Sequence, residues 1–167
     1  GLWLGTWLRY LAGTRLAPFV AMPPRVVREL LDLADVTPSD TLVDIGCGDG
    51  RILVAAAQRG AQCCGFEMIS SLANEARENA QRAGVADRIA VHEVDAMKAD
   101  LRSASVVTLF LTSAGNKRLL PKFGAELAPD ARVVSWLWEM EGVKPARVKR
   151  VGGVGMYLYT GSHFRES

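Results

Sequence analysis

The chain has 167 residues, with 20 Lys and Arg against 18 Asp and Glu, two His and three Cys. That length suits one domain able to bury about two-thirds of its unfolded surface without staples. The charge is nearly balanced and dispersed apart from Lys144 to Arg150, so no nucleic-acid partner is expected, and Cys47, Cys63 and Cys64 show no metal spacing and read as reduced thiols of an intracellular or organellar protein.

The opening stretch, GLWLGTWLRYLAG, is apolar and aromatic, but Arg9 and Arg15 interrupt it and leave it too short to span a bilayer by itself. Trp3, Trp7 and Tyr10 suit a headgroup boundary, or the segment is the tail of a spanning helix; packing of these aromatics on the domain is the alternative. A start at Gly1 rather than Met suggests trimming or processing. The expected division is an N-terminal segment over 1–17, membrane-associating or a targeting remnant, and a single domain over 18–167.

Pro18, Pro23 and Pro24 break the chain, after which Val26, Val27, Leu30, Leu31 and Ala34 recur at helical spacing. TPSD closes that helix, and TLVDI (Thr41 to Ile45) is a short apolar run suited to a strand buried on both faces. After a glycine-rich turn come an alanine-rich helix from Arg51 to Arg59 and a strand from Gln62 to Glu67. A helix from Ser71 to Ala83 places Leu72, Ala73, Ala76, Ala80 and Ala83 on one face, with Glu78 and Arg82 paired on the other. Strands follow at Ile89 to Val94 and Val106 to Leu111, then a helix from Asn116 to Leu127 bent or restarted at Pro121, then a strand from Arg132 to Trp138. Too little chain separates that strand from RVKRV for a helical crossover, so RVKRV and MYLYTG should form an antiparallel hairpin. The alternation predicts an α/β fold: a Rossmann-like, doubly wound, mostly parallel sheet ending in that hairpin.

In such a sheet, ligands bind beside the first strand-to-helix turn, here VDIGCGDGRI, with Gly46, Gly48 and Gly50. The dinucleotide fingerprint needs a glycine where Arg51 stands, and Asp44 and Asp49 would repel a pyrophosphate by a few kcal/mol at an effective dielectric of about 20. S-adenosylmethionine carries no phosphate but presents an ammonium and a sulfonium, which suit this acidic turn. Glu67 is placed to accept from both ribose hydroxyls and Asp95 from the adenine amino group, with Ala96 and Met97 beside the ring; Leu111 completes the expected cofactor contacts. Capping of the helix start by Asp44 and Asp49, with Glu67 a solvated strand end, is the structural alternative.

VDIGCGDGRI, GFE, SASVVTLFL, LLPKF…ELAPDARVVS and MYLY together resemble the class I methyltransferases, from about Phe19 to Thr160. More narrowly they are similar to the small protein-lysine methyltransferases: the broad-specificity archaeal enzyme and the mitochondrial enzymes for the adenine nucleotide translocase and the ATP synthase c-subunit. The resemblance implies N-methylation of lysine side chains in a protein partner, with cofactor contacts at Gly46, Gly48, Glu67 and Asp95. It also implies a mitochondrial, membrane-associated location through residues 1–17, a cytoplasmic one being the alternative. Two stretches depart from the family: PFVAM has Ala21 and Met22 where Pro and Thr are usual, and SWLWEM replaces a more polar sequence.

Methyl transfer from a sulfonium is an in-line displacement, so the enzyme must hold a neutral amine about 3 to 3.5 Å from the methyl carbon. Deprotonating lysine at pH 7 costs about 4.6 kcal/mol, which desolvation near the cationic sulfur lowers. Residues past the fourth and fifth strands are the acceptor-side candidates: Phe110, Thr112, Trp138 and Glu139 as catalytic residues, with Leu111 and Trp136 beside them. Trp138 offers a face to an ammonium, and Glu139 attracts it or takes its proton through water. Core packing competes for Phe110 and Trp136, and a solvated rim position for Glu139. His92 and His163 read as structural or solvated. Competing functions are a small-molecule or RNA methyltransferase and a non-catalytic subunit of a membrane complex.

Overall fold

A computed structural model describes residues 22–165, so the expectations for residues 1–17, and for the helix-breaking Pro18, lie outside the described residues. In chain order the elements are α1 (Pro24–Leu33), β1 (Thr41–Ile45), α2 (Arg51–Gln58), β2 (Gln62–Phe66), α3 (Ser70–Arg82), β3 (Ile89–His92), β4 (Val106–Leu109), α4 (Ser113–Glu126), β5 (Arg132–Trp136), β6 (Arg147–Val151) and β7 (Val154–Thr160). One seven-stranded sheet has the order β3-β2-β1-β4-β5-β7-β6. Its first five strands are parallel, while β7 runs antiparallel to both β5 and β6.

Alternation along the strands divides the core into two layers. Leu42, Val106, Val134 and Met156 pack on one face against Leu30, Leu53 and Ala73 of α1, α2 and α3. Their neighbours Val43, Val107, Val133 and Tyr157 pack on the other face against Leu119 and Phe123 of α4. With both faces covered, the strands read as continuous apolar runs, and ligands are left the carboxyl edge of the sheet.

Several boundaries differ from the sequence expectation. Strand β3 ends at His92, β4 at Leu109 and β5 at Trp136, each two residues early. At β5 the cause is Leu137, whose φ of 75° is incompatible with an extended strand. At β4, the Thr112 side chain accepts from the Gly115 N–H at 3.1 Å and caps α4, which therefore begins at Ser113 rather than Asn116. That helix then continues through Pro121, which stands on an exposed position. Ala83 is exposed just past the end of α3, while Ala73, Ala76 and Ala80 are buried as the helical spacing requires.

Candidate active site

The β1–α2 turn is built around Gly50, which has φ +82° and lies so near α3 that a Cβ would meet the Ala76 Cβ at 2.9 Å. Glycine there lets the turn nest under α3, and the Asn79 amide of α3 donates to the Asp49 carbonyl at 2.9 Å. Asp49 is claimed from within the turn: Arg51 meets its carboxylate with Nε at 3.0 Å and Nη2 at 2.5 Å, while Arg51 Nη1 donates to the Met22 carbonyl at 2.7 Å. Asp44 lies in β1 and is buried, with its Oδ1 accepting from the Thr108 hydroxyl of β4 at 2.9 Å. Gly50 holds the N-cap position of α2, yet Asp49 Oδ1 accepts from the Arg51 N–H at 3.2 Å, so the structural alternative describes Asp49 in part, whereas Asp44 makes no such bond to the helix start.

Burial, with the Glu67 and Asp49 charges adding to it against the Thr108 hydrogen bond, pushes the Asp44 carboxyl up to about 7. Burial likewise raises the Cys47 thiol far above its ordinary value and Cys63 to about 12, so at neutral pH both are packing groups rather than nucleophiles.

Beyond the turn, a cavity of about 430 Å³ opens along the carboxyl ends of β1 to β5. Gly46, Glu67, Asp95, Ala96, Phe110, Leu111, Thr112 and Trp138 all line it, so eight of the residues expected from sequence share one space. Met97 joins them, whereas Asp44, Gly48, Asp49 and Gly50 do not line the cavity; the last three form the turn at its edge and Asp44 underlies it. Glu139 is exposed and also lies outside the lining. Trp136, expected beside the acceptor, is buried instead and packs edge-on against Phe110 at 4.6 Å between ring centroids. His92 is exposed and stacks on Phe66 at 5.3 Å, in keeping with a structural role.

Glu67, just past β2, ties two loops together: Oε1 accepts from the Gly48 N–H and Oε2 from the Ile69 N–H, each at 3.0 Å. Asp95 uses Oδ1 to accept from the Met97 N–H at 3.0 Å and so starts the 3-10 turn Ala96–Lys98. A carboxylate oxygen accepts at two sites, so both acids retain acceptor capacity toward the cavity. Gly46 is exposed with φ +71°, and a Cβ there would stand 3.4 Å from Leu111 Cδ2, filling space that the bare backbone leaves open. Size, two carboxylates and an open backbone turn fit S-adenosylmethionine.

Sequence reasoning missed the groups that organise these loops. Asn116 and Ser135 are fully buried and bond the segment carrying Trp138, and Tyr159 Oη accepts from the Met140 N–H at 2.8 Å. Long-range pairs such as Asp44 with Thr108 leave no local pattern; only polar residues inside apolar strands, as in VVSW and VVTL, hinted at them.

The chain matches the ANTKMT methyltransferase domain over residues 44–147. It is 37% identical to a protein-lysine N-methyltransferase of Saccharolobus islandicus, covering 87% of this chain and 95% of that protein. It is 35% identical to the adenine nucleotide translocase lysine N-methyltransferase of Mus musculus, covering 85% of this chain but only 62% of the mouse protein. Among solved structures, an RNA methyltransferase from Salinibacter ruber in complex with S-adenosyl-L-homocysteine is 40% identical, with a TM-score of 0.83 over 84% of this chain and 93% of that one. The sheet order, the cavity at its carboxyl edge and these likenesses agree: the chain belongs to the ANTKMT methyltransferase domain family, with S-adenosylmethionine as its cofactor.

Proposed function

We infer that the protein transfers the methyl group of S-adenosylmethionine to lysine ε-amino groups of a protein substrate. The observation that carries this reading is the composition of one cavity. Sheet order puts Glu67 and Asp95, after β2 and β3, on one side of Gly46, and Phe110, Thr112 and Trp138, after β4 and β5, on the other. The first side offers acceptors for a nucleoside; the second offers two aromatic rings and a hydroxyl.

Bound there, the cofactor supplies a methyl group on a cationic sulfur. Glu67, its carboxylate set by the Gly48 N–H, would hold the ribose side, Asp95 would receive the adenine amino group through its remaining acceptor capacity, and Ala96, Met97 and Leu111 would flank the ring. Asp44, behind the turn, gives negative charge beneath the cationic end, while Asp49, engaged by Arg51, fixes the turn's shape rather than contacting ligand. On the acceptor side, Phe110 and Trp138 strip water from the amine, which lowers the cost of losing its proton, about 4.6 kcal/mol at pH 7 in water. Trp138 presents a face to the ammonium before deprotonation, worth about 0.5 to 2 kcal/mol. Thr112 Oγ1 has spare acceptor capacity beside that path, and exposed Glu139 draws the lysine toward the rim.

The test is incubation with methyl-labelled S-adenosylmethionine and a mixture of protein and RNA, followed by residue analysis. Label on lysine supports the reading. Label confined to RNA supports the second reading, which the Salinibacter ruber likeness favours.

The division into an N-terminal segment over 1–17 and a catalytic domain over 18–167, and a mitochondrial, membrane-associated location of the protein through that segment, are also part of the proposal. Their support is the aromatic, apolar opening sequence and the likeness to the mouse translocase methyltransferase. Among the described residues no helix is long and apolar enough to cross a membrane. Fractionation of cells expressing a reporter fused to the full chain, or to the chain without residues 1–17, tests it: both fusions in the soluble cytoplasmic fraction would contradict it.

A further inference from the structure

The loop from Leu137 to Met140 leaves β5 against local preference. Leu137 adopts φ 75°, a left-handed conformation that a branched side chain rarely takes, so surrounding contacts must impose it. Those contacts are polar, and the side chains that make them are buried. The Leu137 N–H donates to the Gly155 carbonyl of β7 at 2.8 Å, and the Ser135 hydroxyl donates to the Trp138 carbonyl at 2.5 Å. Asn116, in the first turn of α4, sends its Nδ2 toward the Trp138 and Glu139 carbonyls at 3.4 Å each and the Ser135 hydroxyl at 3.3 Å. Met140 is held by Tyr159.

The orientation of the Asn116 amide follows from this company. Two fixed carbonyls demand the donor end, and Oδ1 is left buried without a hydrogen-bond partner among the described residues. An unpaired buried acceptor is unfavourable, so the amide sits there at the expense of stability. An apolar residue would pack the position without that penalty but would release both carbonyls. Asn116 also shares its turn with Thr112: its N–H donates to the Thr112 carbonyl at 2.9 Å. One buried residue thereby bonds Thr112 through its backbone N–H and Trp138 through its side chain, two residues that line the same cavity after different strands.

We propose that Asn116 and Ser135 are positioning residues for methyl transfer, holding the Leu137–Met140 loop so that Trp138 stays set against Thr112 on the acceptor side of the cavity. This rests on the reading of Trp138 as an acceptor-side residue. Neither side chain touches the reacting atoms; they act through the carbonyls of Trp138 and Glu139.

The test uses the full chain labelled with 5-fluorotryptophan, the Trp138 resonance being identified by its loss in Trp138→Phe. Asn116→Asp keeps the shape but presents oxygens to the carbonyls; Ser135→Ala removes the second donor, and Ser135→Thr restores a hydroxyl. In Asn116→Asp and Ser135→Ala the Trp138 resonance should move and broaden, with the cofactor Kd unchanged and transfer to poly-L-lysine at saturating cofactor lowered about 10- to 100-fold. Ser135→Thr should recover both position and rate. An unmoved Trp138 resonance in Asn116→Asp and Ser135→Ala overturns the proposal, as does a cofactor Kd that weakens in step with the rate. The two readings fail differently. If Trp138→Ala abolishes transfer while Asn116→Asp and Ser135→Ala transfer normally, only the positioning role falls; if Trp138→Ala transfers normally, the acceptor-side reading of Trp138 falls with it.

Discussion

Glu67 links the glycine turn to the loop after β2 by accepting one backbone N–H from each. Removing it strips partners from Gly48 and Ile69 and, on the proposed function, from the ribose hydroxyls. A hydrogen bond to a charged group contributes about 1.5 to 3 kcal/mol, so Glu67→Ala should weaken S-adenosylmethionine by at least about 10-fold in calorimetry. Asp44 makes a prediction of a different kind. Its carboxyl is raised by burial to about 7, so the folded protein retains a proton that the unfolded chain has released. The stability tied to that proton is full below the unfolded value near 4 and is lost as pH rises through about 7. A cation bound above Asp44 favours the ionised form. Cofactor affinity should therefore climb with pH toward about 7 and level off above it, with proton release on binding seen in calorimetry with buffers of different ionisation enthalpy. Asp44→Asn should flatten that profile; a pH-independent affinity in the unsubstituted protein would contradict the account.

At the scale of elements, the turn between β1 and α2 depends on close approach. With φ +82° and Ala76 only 2.9 Å from a Cβ, Gly50→Ala adds both backbone strain and overpacking. A loss of about 1 to 3 kcal/mol is expected in urea unfolding, with cofactor affinity falling as well because Gly48 moves with the turn. Elements with a clear period were legible in sequence. β1 was located to the residue, and the apolar positions of α1 are the buried ones. The ends of β4 and β5 were not legible, because they are set by a cap at Thr112 and a backbone outlier at Leu137 rather than by hydrophobicity. The same limit governed the site. Gly46, Glu67 and Asp95 follow strands in a fixed topology, so sequence located them at the cavity. Trp136 and Glu139 were harder, since adjacent residues of SWLWEM take opposite fates: Trp136 faces the α1–α2 core, Trp138 the cavity and Glu139 solvent.

Across the whole molecule, the edge of the sheet away from the cavity is fastened by one buried acid. Asp40 accepts from the Thr37 N–H at 2.8 Å and the Ser105 hydroxyl at 2.7 Å, and pairs with Arg132, whose guanidinium also donates to the Ala34 carbonyl at 2.7 Å. These contacts join α1, β1, β4 and β5 at their far ends. Burial pushes the Asp40 carboxyl up, but the Thr37 and Ser105 hydrogen bonds and Arg132 outweigh it and hold it below its ordinary value. Its contribution is therefore present above the unfolded value and is lost as pH falls through the folded one. Asp40→Ala takes the carboxylate from Arg132 and leaves the Thr37 N–H and the Ser105 hydroxyl without their acceptor, and should cost about 1 to 3 kcal/mol in urea unfolding at pH 7. Because the staple lies on the opposite edge, the cofactor Kd of the folded variant should not change. A variant with full stability, or one that folds normally but loses cofactor, would contradict this separation of scaffold from site.

The central claim is that the cavity joins an S-adenosylmethionine site to a desolvating aromatic end for a lysine amine. Mass spectrometry of proteins incubated with the full chain and deuterated-methyl S-adenosylmethionine tests it most directly. The account predicts deuterated methyl groups on lysine side chains, greatly reduced with Glu67→Ala and with Trp138→Ala; labelled RNA or small molecules with unmodified lysine would contradict it.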